Sequence, residues 1–306
     1  MEKIVLSVVG PTAIGKTTLA ILLAQRYNAE IISVDSRQFF KEMCIGTAVP
    51  NTEELNAAKH HFIQNKSIEE AYSVGDFEKE ALEKIRELHQ HNSIVIMVGG
   101  SGLYVDAVTK GLNKFPKINP QIRERLNAKL KNKGLATLQE ELQCLDPEYY
   151  AKVDKENPHR IIRALEVCIG TEQPYSSFIT NQKDSRPFKV ISVGITADRE
   201  VIYDRIHKRV DIMMQNGLLK EVSALENYQH LNALQTVGYR ELFKYLNKEW
   251  TLDFAVSEIK KNTRRFAKRQ QTWFKKNEST IWIPYNYKQE TIFPMLTNEI
   301  QRIQNE

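Results

Sequence analysis

Eight residues near the N-terminus constrain the fold more than any other stretch: Gly10-Pro11-Thr12-Ala13-Ile14-Gly15-Lys16-Thr17. They satisfy GxxxxGK[ST], a pattern that requires a strand before it and a helix after it. Residues 4–9, Ile-Val-Leu-Ser-Val-Val, form a short, β-branched-rich apolar run suited to a buried strand. Leu19, Leu22 and Leu23 then fall at helical spacing within residues 18–26. The glycines let the backbone curl so that several N–H groups converge, and the helix N-terminus adds partial positive charge there. Lys16 can neutralise phosphate oxygens, and the Thr17 hydroxyl can coordinate Mg²⁺. The alternative is a chance match in a glycine-containing turn, and the flanking strand and helix argue against it. The segment reads as a polyphosphate cradle. Which polyphosphate it holds stays open.

Further strand candidates at 30–34, 61–63, 94–98 and 189–195 alternate with helical stretches. This predicts an α/β fold, a P-loop NTPase-like parallel sheet flanked by helices, with its active edge at the strand C-termini. Residues 114–187 differ: they are rich in Lys, Arg, Glu and Leu, punctuated by Pro116, Pro120, Pro147, Pro158 and Pro187, and poor in strand signals. They are expected to form a mostly helical insertion domain in a catalytic core made of 1–113 and 188–306. Helical patterns resume at Arg199 and are expected to end near Lys276. The composition, 42% hydrophobic and 26% charged, is that of a soluble globular protein. Cys44, Cys144 and Cys168 lack CxxC or Cys/His ligand spacing, which excludes a zinc finger or disulfide scaffold and predicts a reducing, cytoplasmic setting. The apolar run at 4–9 is too brief for a signal peptide or membrane span.

Two turns share the expected active edge. Asp35-Ser36-Arg37-Gln38 follows the second strand. There Asp35 could hold Mg²⁺, take a proton from a nucleophile, or simply cap the next turn. Gly99-Gly100-Ser101-Gly102 follows the strand at 94–98. Its glycines permit close backbone approach, and Ser101 either bonds a substrate or caps the next helix, the cap being favoured by the turn in isolation. Residues 260–277 contain eight Lys or Arg and no acid, more than the net charge of +5, so the remainder is slightly acidic. On a helix, Ile259, Phe266, Gln270 and Trp273 share one face, with Lys261, Arg264, Arg265, Lys268 and Arg269 largely on the others. Such an unmixed run suits a nucleic acid better than a merely solvated face. His159-Arg160-Ile161-Ile162-Arg163, with Arg123 and Arg125, is a second basic segment. By itself it reads as surface charge, with Ile161, Ile162 and Leu165 facing a core.

Taken in order, GPTAIGKT, IISVDSRQ, MCIGTAVP, AYSVGDF, VGGSGLY, NPHRIIRALEV, TVGYREL and TRRFAKRQQTW resemble the bacterial tRNA dimethylallyltransferases, over residues 4–276. The resemblance implies transfer of a dimethylallyl group from dimethylallyl diphosphate to N6 of adenosine 37 in tRNA, with release of diphosphate. It implies that Gly10 to Thr17 and Arg209 hold the diphosphate, with Mg²⁺ on Thr17 and Lys16 stabilising the departing charge. Asp35 would take the N6 proton, and Ser101 would orient N6 or the diphosphate. RNA contacts are implied at Asp35-Ser36-Arg37-Gln38, Ser101, Arg123, His159 to Arg163, Gln235-Thr236-Val237-Gly238-Tyr239-Arg240 and Lys268-Arg269-Gln270-Gln271-Thr272-Trp273-Phe274-Lys275. The insertion would clamp the anticodon stem-loop while the target base leaves its stack. Ile14 is bulkier than the residue usual there, and Gln235 stands where some relatives have arginine. A monomer without membrane contact is expected. Rival readings are a P-loop small-molecule kinase, an enzyme that prenylates free AMP, and a non-catalytic RNA-binding module switched by nucleotide.

Overall fold

The computed structural model describes residues 2–179 and 185–305. It divides into two compact units, one of Met1–Thr109 with Arg186–Glu306 and one of Lys110–Ser185. The first unit opens with β1 (Ile4–Val9), α1 (Lys16–Tyr27), β2 (Ile31–Ser33), α2 (Thr52–Ala57), β3 (His60–His61), α3 (Val74–Leu88), β4 (Ile94–Val98) and α4 (Gly102–Lys110). The second unit contains α5 (Pro120–Leu145), α6 (Pro147–Lys152) and α7 (Pro158–Thr171). The first then resumes with β5 (Lys189–Thr196), α8 (Arg199–Gln215), α9 (Leu218–Ala224), α10 (Tyr239–Leu246), α11 (Leu252–Phe274), β6 (Ile281–Pro284) and α12 (Gln289–Asn305).

The strands form one sheet in the order β3-β2-β4-β1-β5-β6, with every pairing parallel. Every residue of β1 and β4 is buried. Helices cover both faces of such a strand, which is why these runs are continuously apolar instead of alternating. The parallel arrangement brings the segments after β1, β2, β4 and β5 to one edge of the sheet.

Two elements lie beyond Lys276, where the helical reading stopped. β6 is four residues long and ends on Pro284, so it carries little periodic signal; its pairing of Ile281 with Val193 extends the sheet. α12 contains Pro294, a residue that argues against a helix interior, yet it buries Ile292, Leu296, Ile300 and Ile303 on one face. β2 is shorter than the run at 30–34, and β3 lies at 60–61 instead of 61–63.

The second unit is helical, and three of its prolines mark helix starts. Asn119, Asp146 and Asn157 cap α5, α6 and α7 through side-chain oxygens. Pro120, Pro147 and Pro158 follow each cap, where a missing N–H costs nothing. Gly134, at φ 78°, breaks α5 into two helical stretches. Leu126, Leu138, Leu142, Ile161 and Leu165 form the core of this unit. Asp146 is buried and accepts bonds from the Tyr149 N–H, the Ser176 N–H and the Ser176 hydroxyl. Asp146→Ala should destabilise this unit by about 1–3 kcal/mol, since it strands buried donors. Amide hydrogen exchange should then rise across residues 146–178 and not in the sheet; unchanged protection at Tyr149 and Ser176 would contradict this role.

Candidate active site

The loop leaving β1 enters α1 through Gly15, whose backbone is left-handed at φ 105°. No side chain caps α1. Its first N–H groups are therefore available to an anion, in the position where a helix N-terminus is most positive. Lys16 folds back over the loop and donates from Nζ to the Pro11 carbonyl at 2.8 Å. Burial and the neighbouring Arg209 guanidinium lower the Lys16 pKa to about 7, with Asp35 opposing the shift. From α8, Arg209 donates to the Thr12 hydroxyl at 3.4 Å and Arg205 donates to the Ala13 carbonyl at 2.6 Å. Burial draws the Arg209 guanidinium below its usual pKa, while Asp35 and Glu54 hold it up. These groups, with Thr17 and Lys208, line an open cavity of about 410 Å³. A smaller and more apolar cavity of about 130 Å³ shares Thr12, Asp35 and Arg209 and is walled by Val210, Met213, Leu218 and Val237.

Asp35 lines both cavities. Its Oδ1 accepts the Arg37 N–H at 2.9 Å and the Gln38 N–H at 3.4 Å, so it does cap the turn. Its Oδ2 has no hydrogen bond among the described residues, which leaves that oxygen available for chemistry. The Ser101 hydroxyl oxygen accepts the Ser36 N–H at 3.0 Å and ties two edge loops together. The Gln38 amide is spent internally, donating to the Thr47 and Ala48 carbonyls at 3.2 and 2.9 Å and accepting from Ser33 at 3.1 Å. Arg37 likewise donates to the Ser36 and Asn232 carbonyls.

α11 brings the basic segment to the same edge. Its buried seam runs through Ala255, Ile259, Ala267, Gln270 and Phe274. Trp273, expected on that face, is 36% exposed; its indole N–H donates to Asp106 at 2.9 Å, and its ring lies over Gly102, where a Cβ would come within 2.4 Å. Gln270 is 6% exposed and reaches the cavity wall.

The comparisons with known proteins agree on one group. A profile described as IPP transferase matches residues 38–277. The chain belongs to the IPP transferase family. The tRNA dimethylallyltransferase of Flavobacterium johnsoniae is 57% identical over 305 residues, covering 98% of this chain and 99% of that one. The tRNA dimethylallyltransferase 1 of Bacteroides thetaiotaomicron is 44% identical, covering 92% and 91%. The crystal structure of a tRNA isopentenylpyrophosphate transferase from Bacillus halodurans matches with a TM-score of 0.72 at 35% identity, covering 98% of this chain and 96% of that one. A eukaryotic dimethylallyltransferase acting on tRNA shares the fold, with a TM-score of 0.81 at 23% identity over 99% of this chain and 80% of that one.

Several residues of this IPP transferase that were expected to touch RNA have buried side chains. Ile161, Ile162, Tyr239 and Phe274 are core residues, and the Gln270 amide is engaged inside the first unit. The exposed members of those segments are His159, Arg160, Gln235, Arg240, Lys268, Arg269, Thr272 and Lys275. Arg123 is paired with Glu166, donating from Nη2 at 2.6 Å, and Arg163 donates to the same carboxylate at 3.0 Å. Sequence reasoning missed Arg205 and Lys208, which share the cavity-facing stripe of α8 with Arg209; their spacing after β5 was the available signal. It also missed Glu221 of α9. That carboxylate accepts the N–H groups of Cys44, Ile45 and Gly46 and the Tyr239 hydroxyl, holding MCIGTAVP against TVGYREL. No local pattern announces a contact made across 176 residues.

The Lys16 ammonium gives this site a pH signature. Free Lys16 loses its proton as pH rises through about 7, whereas a bound diphosphate favours the charged form. Binding of inorganic pyrophosphate at pH 8 should therefore take up more protons in the wild type than in Lys16→Ala. Calorimetry in buffers of different ionisation enthalpy measures this; equal uptake would remove Lys16 from the anion site.

Proposed function

We propose that this chain transfers a dimethylallyl group from dimethylallyl diphosphate to N6 of the adenosine 3′ to the anticodon of tRNA. The observation that carries the reading is one cavity that contains both an uncapped helix N-terminus with Lys16 and Arg209, and a carboxylate, Asp35, with one unbonded oxygen. The first half suits a departing diphosphate and the second a nucleophile that must lose a proton. Relatives of nearly the same length, named for this activity, support the substrate pair.

In this reading the C1–O bond of the allylic diphosphate breaks as charge accumulates on the leaving oxygens. The loop N–H groups, Lys16 and Arg209 stabilise that charge where it develops. N6 of adenine is a weak nucleophile because its lone pair is delocalised into the ring. Asp35 Oδ2 takes its proton as the C–N bond forms. Ser101 holds the Asp35 turn through Ser36. The donor set also fits Mg²⁺. Thr17 offers a hydroxyl beside the phosphate cradle, the sparse protein ligation that Mg²⁺ accepts when phosphate and water complete its shell. No group of three or more His, Cys, Asp or Glu that could hold a metal occurs among the described residues, so the ion would arrive with the diphosphate, adding positive charge to the leaving group. Residues 110–185 are assigned to the anticodon stem-loop through His159, Arg160 and neighbouring cations. One chain supplies the entire cavity, consistent with a monomer. No helix of the described residues is long and apolar enough to cross a membrane.

Mass spectrometry of unmodified tRNA after incubation with the protein, Mg²⁺ and dimethylallyl diphosphate should show one dimethylallyl unit on that adenosine. Asp35→Asn should bind both substrates yet slow transfer by about 10²-fold or more, the usual loss when a general base is removed. Transfer to free AMP without tRNA, or turnover of ATP without RNA, would replace this reading with one of its rivals.

A further inference from the structure

The loops around the cavity are joined in series, and one side chain links the phosphate loop to the Ser101 turn. Gln270 Oε1 accepts the Thr12 N–H at 2.8 Å, and its Nε2 donates to the Gly100 carbonyl at 2.9 Å. The chain continues from Gly100 into Ser101, whose hydroxyl accepts the Ser36 N–H, and Ser36 adjoins Asp35. Gly100 is shaped for this contact. A Cβ there would lie 2.3 Å from Gln270 Nε2. Its φ lies outside the left-handed region, so glycine is required for space and not for backbone conformation. Gln270 is also a polar residue in the buried seam of α11, where an apolar side chain would otherwise serve. A buried amide is tolerated only when its donor and acceptor are matched, and here both partners belong to cavity loops.

We propose that Gln270 is a positioning residue that sets the separation between the diphosphate cradle and the Asp35–Ser101 side of the cavity. The proposal rests on the transfer reading above, because that reaction needs this separation held. The nucleophile must stand about 3–3.5 Å from C1, in line with the departing diphosphate, and a shift of about 1 Å can cost 10²-fold in rate. Neither hydrogen bond touches a substrate. Their effect is on where the two halves of the reaction meet. If the halves separate, an allyl group that ionises is captured by water. The C1–O bond to diphosphate breaks, a water oxygen bonds to C1, and its proton leaves to solvent, giving dimethylallyl alcohol and diphosphate.

The test uses the full-length protein with tRNA and dimethylallyl diphosphate. Gln270→Met keeps the length and loses both hydrogen bonds. It should lower kcat by about 10²-fold while KM for dimethylallyl diphosphate and Kd for tRNA stay within about threefold of wild type. The share of diphosphate lost as alcohol should rise. Gly100→Ala should have the same effect by displacing the amide, and Gly100→Ala combined with Gln270→Ala should be no worse than Gln270→Ala alone. If Gln270→Met does not fold, Gln270→Asn carries the same test, being one methylene too short to reach both partners. Unchanged kcat, a parallel loss in kcat and both affinities, or multiplying effects of the Gly100 and Gln270 changes would overturn the proposal. All variants are compared with active wild type, and a wild type unable to modify tRNA would instead overturn the transfer reading.

Discussion

The N-terminus of α1 has its N–H groups gathered on one side and no side chain satisfying them. Much of the site's architecture is organised around that arrangement. β1 delivers the loop from the centre of a parallel sheet, paired on both sides, so the cradle is anchored to a wholly buried strand. Gly15 turns the chain into the helix without supplying a cap. Lys16, Arg209 and Arg205 then surround the opening. Each binds a loop carbonyl or hydroxyl, and their mutual repulsion is tolerated with Asp35 beside them. Burial and like charge together lower the Lys16 pKa to about 7, and a bound anion would favour its charged form.

The other edge loops have little regular structure of their own and are held by side-chain hydrogen bonds. Glu221 secures residues 44–46 through three backbone N–H groups. Gln38 secures the carbonyls of Thr47 and Ala48, and Gln270 secures Thr12 and Gly100. A cavity built this way has its polar groups fixed before substrate enters, which limits the reorganisation required during reaction. It also explains why a helix rich in cations carries an uncharged amide at its most buried polar position.

What could be read from sequence was what depends on short range. GPTAIGKT between an apolar run and a leucine-spaced helix specifies a strand, a loop and a helix, and the structure contains all three. Asp35 was placed at the correct edge because a parallel sheet sends its strand ends the same way. The choice between cap and base could not be made from sequence, since it depends on two oxygens of one carboxylate having different surroundings. Burial was read unevenly: Ile161 and Ile162 face a core as their local pattern suggested, whereas Tyr239 and Phe274 sit within basic or RNA-like segments and tertiary packing turns them inward. Trp273 and Phe274 differ by one helical step, about 100° of rotation, enough to exchange an exposed ring for a buried one. β6 and α12 escaped notice because one is four residues long and the other contains a proline.

The central claim is that the N–H groups opening α1 form the diphosphate subsite, distinct from the basic surface of α11. Backbone amide chemical shifts, followed by NMR as inorganic pyrophosphate is added to the protein with Mg²⁺, test it directly. The largest changes are expected at Ala13, Ile14, Gly15, Lys16, Thr17 and Thr18, with Lys268 to Lys276 little affected. Changes confined to Lys268 to Lys276, with the loop amides unmoved, would contradict it.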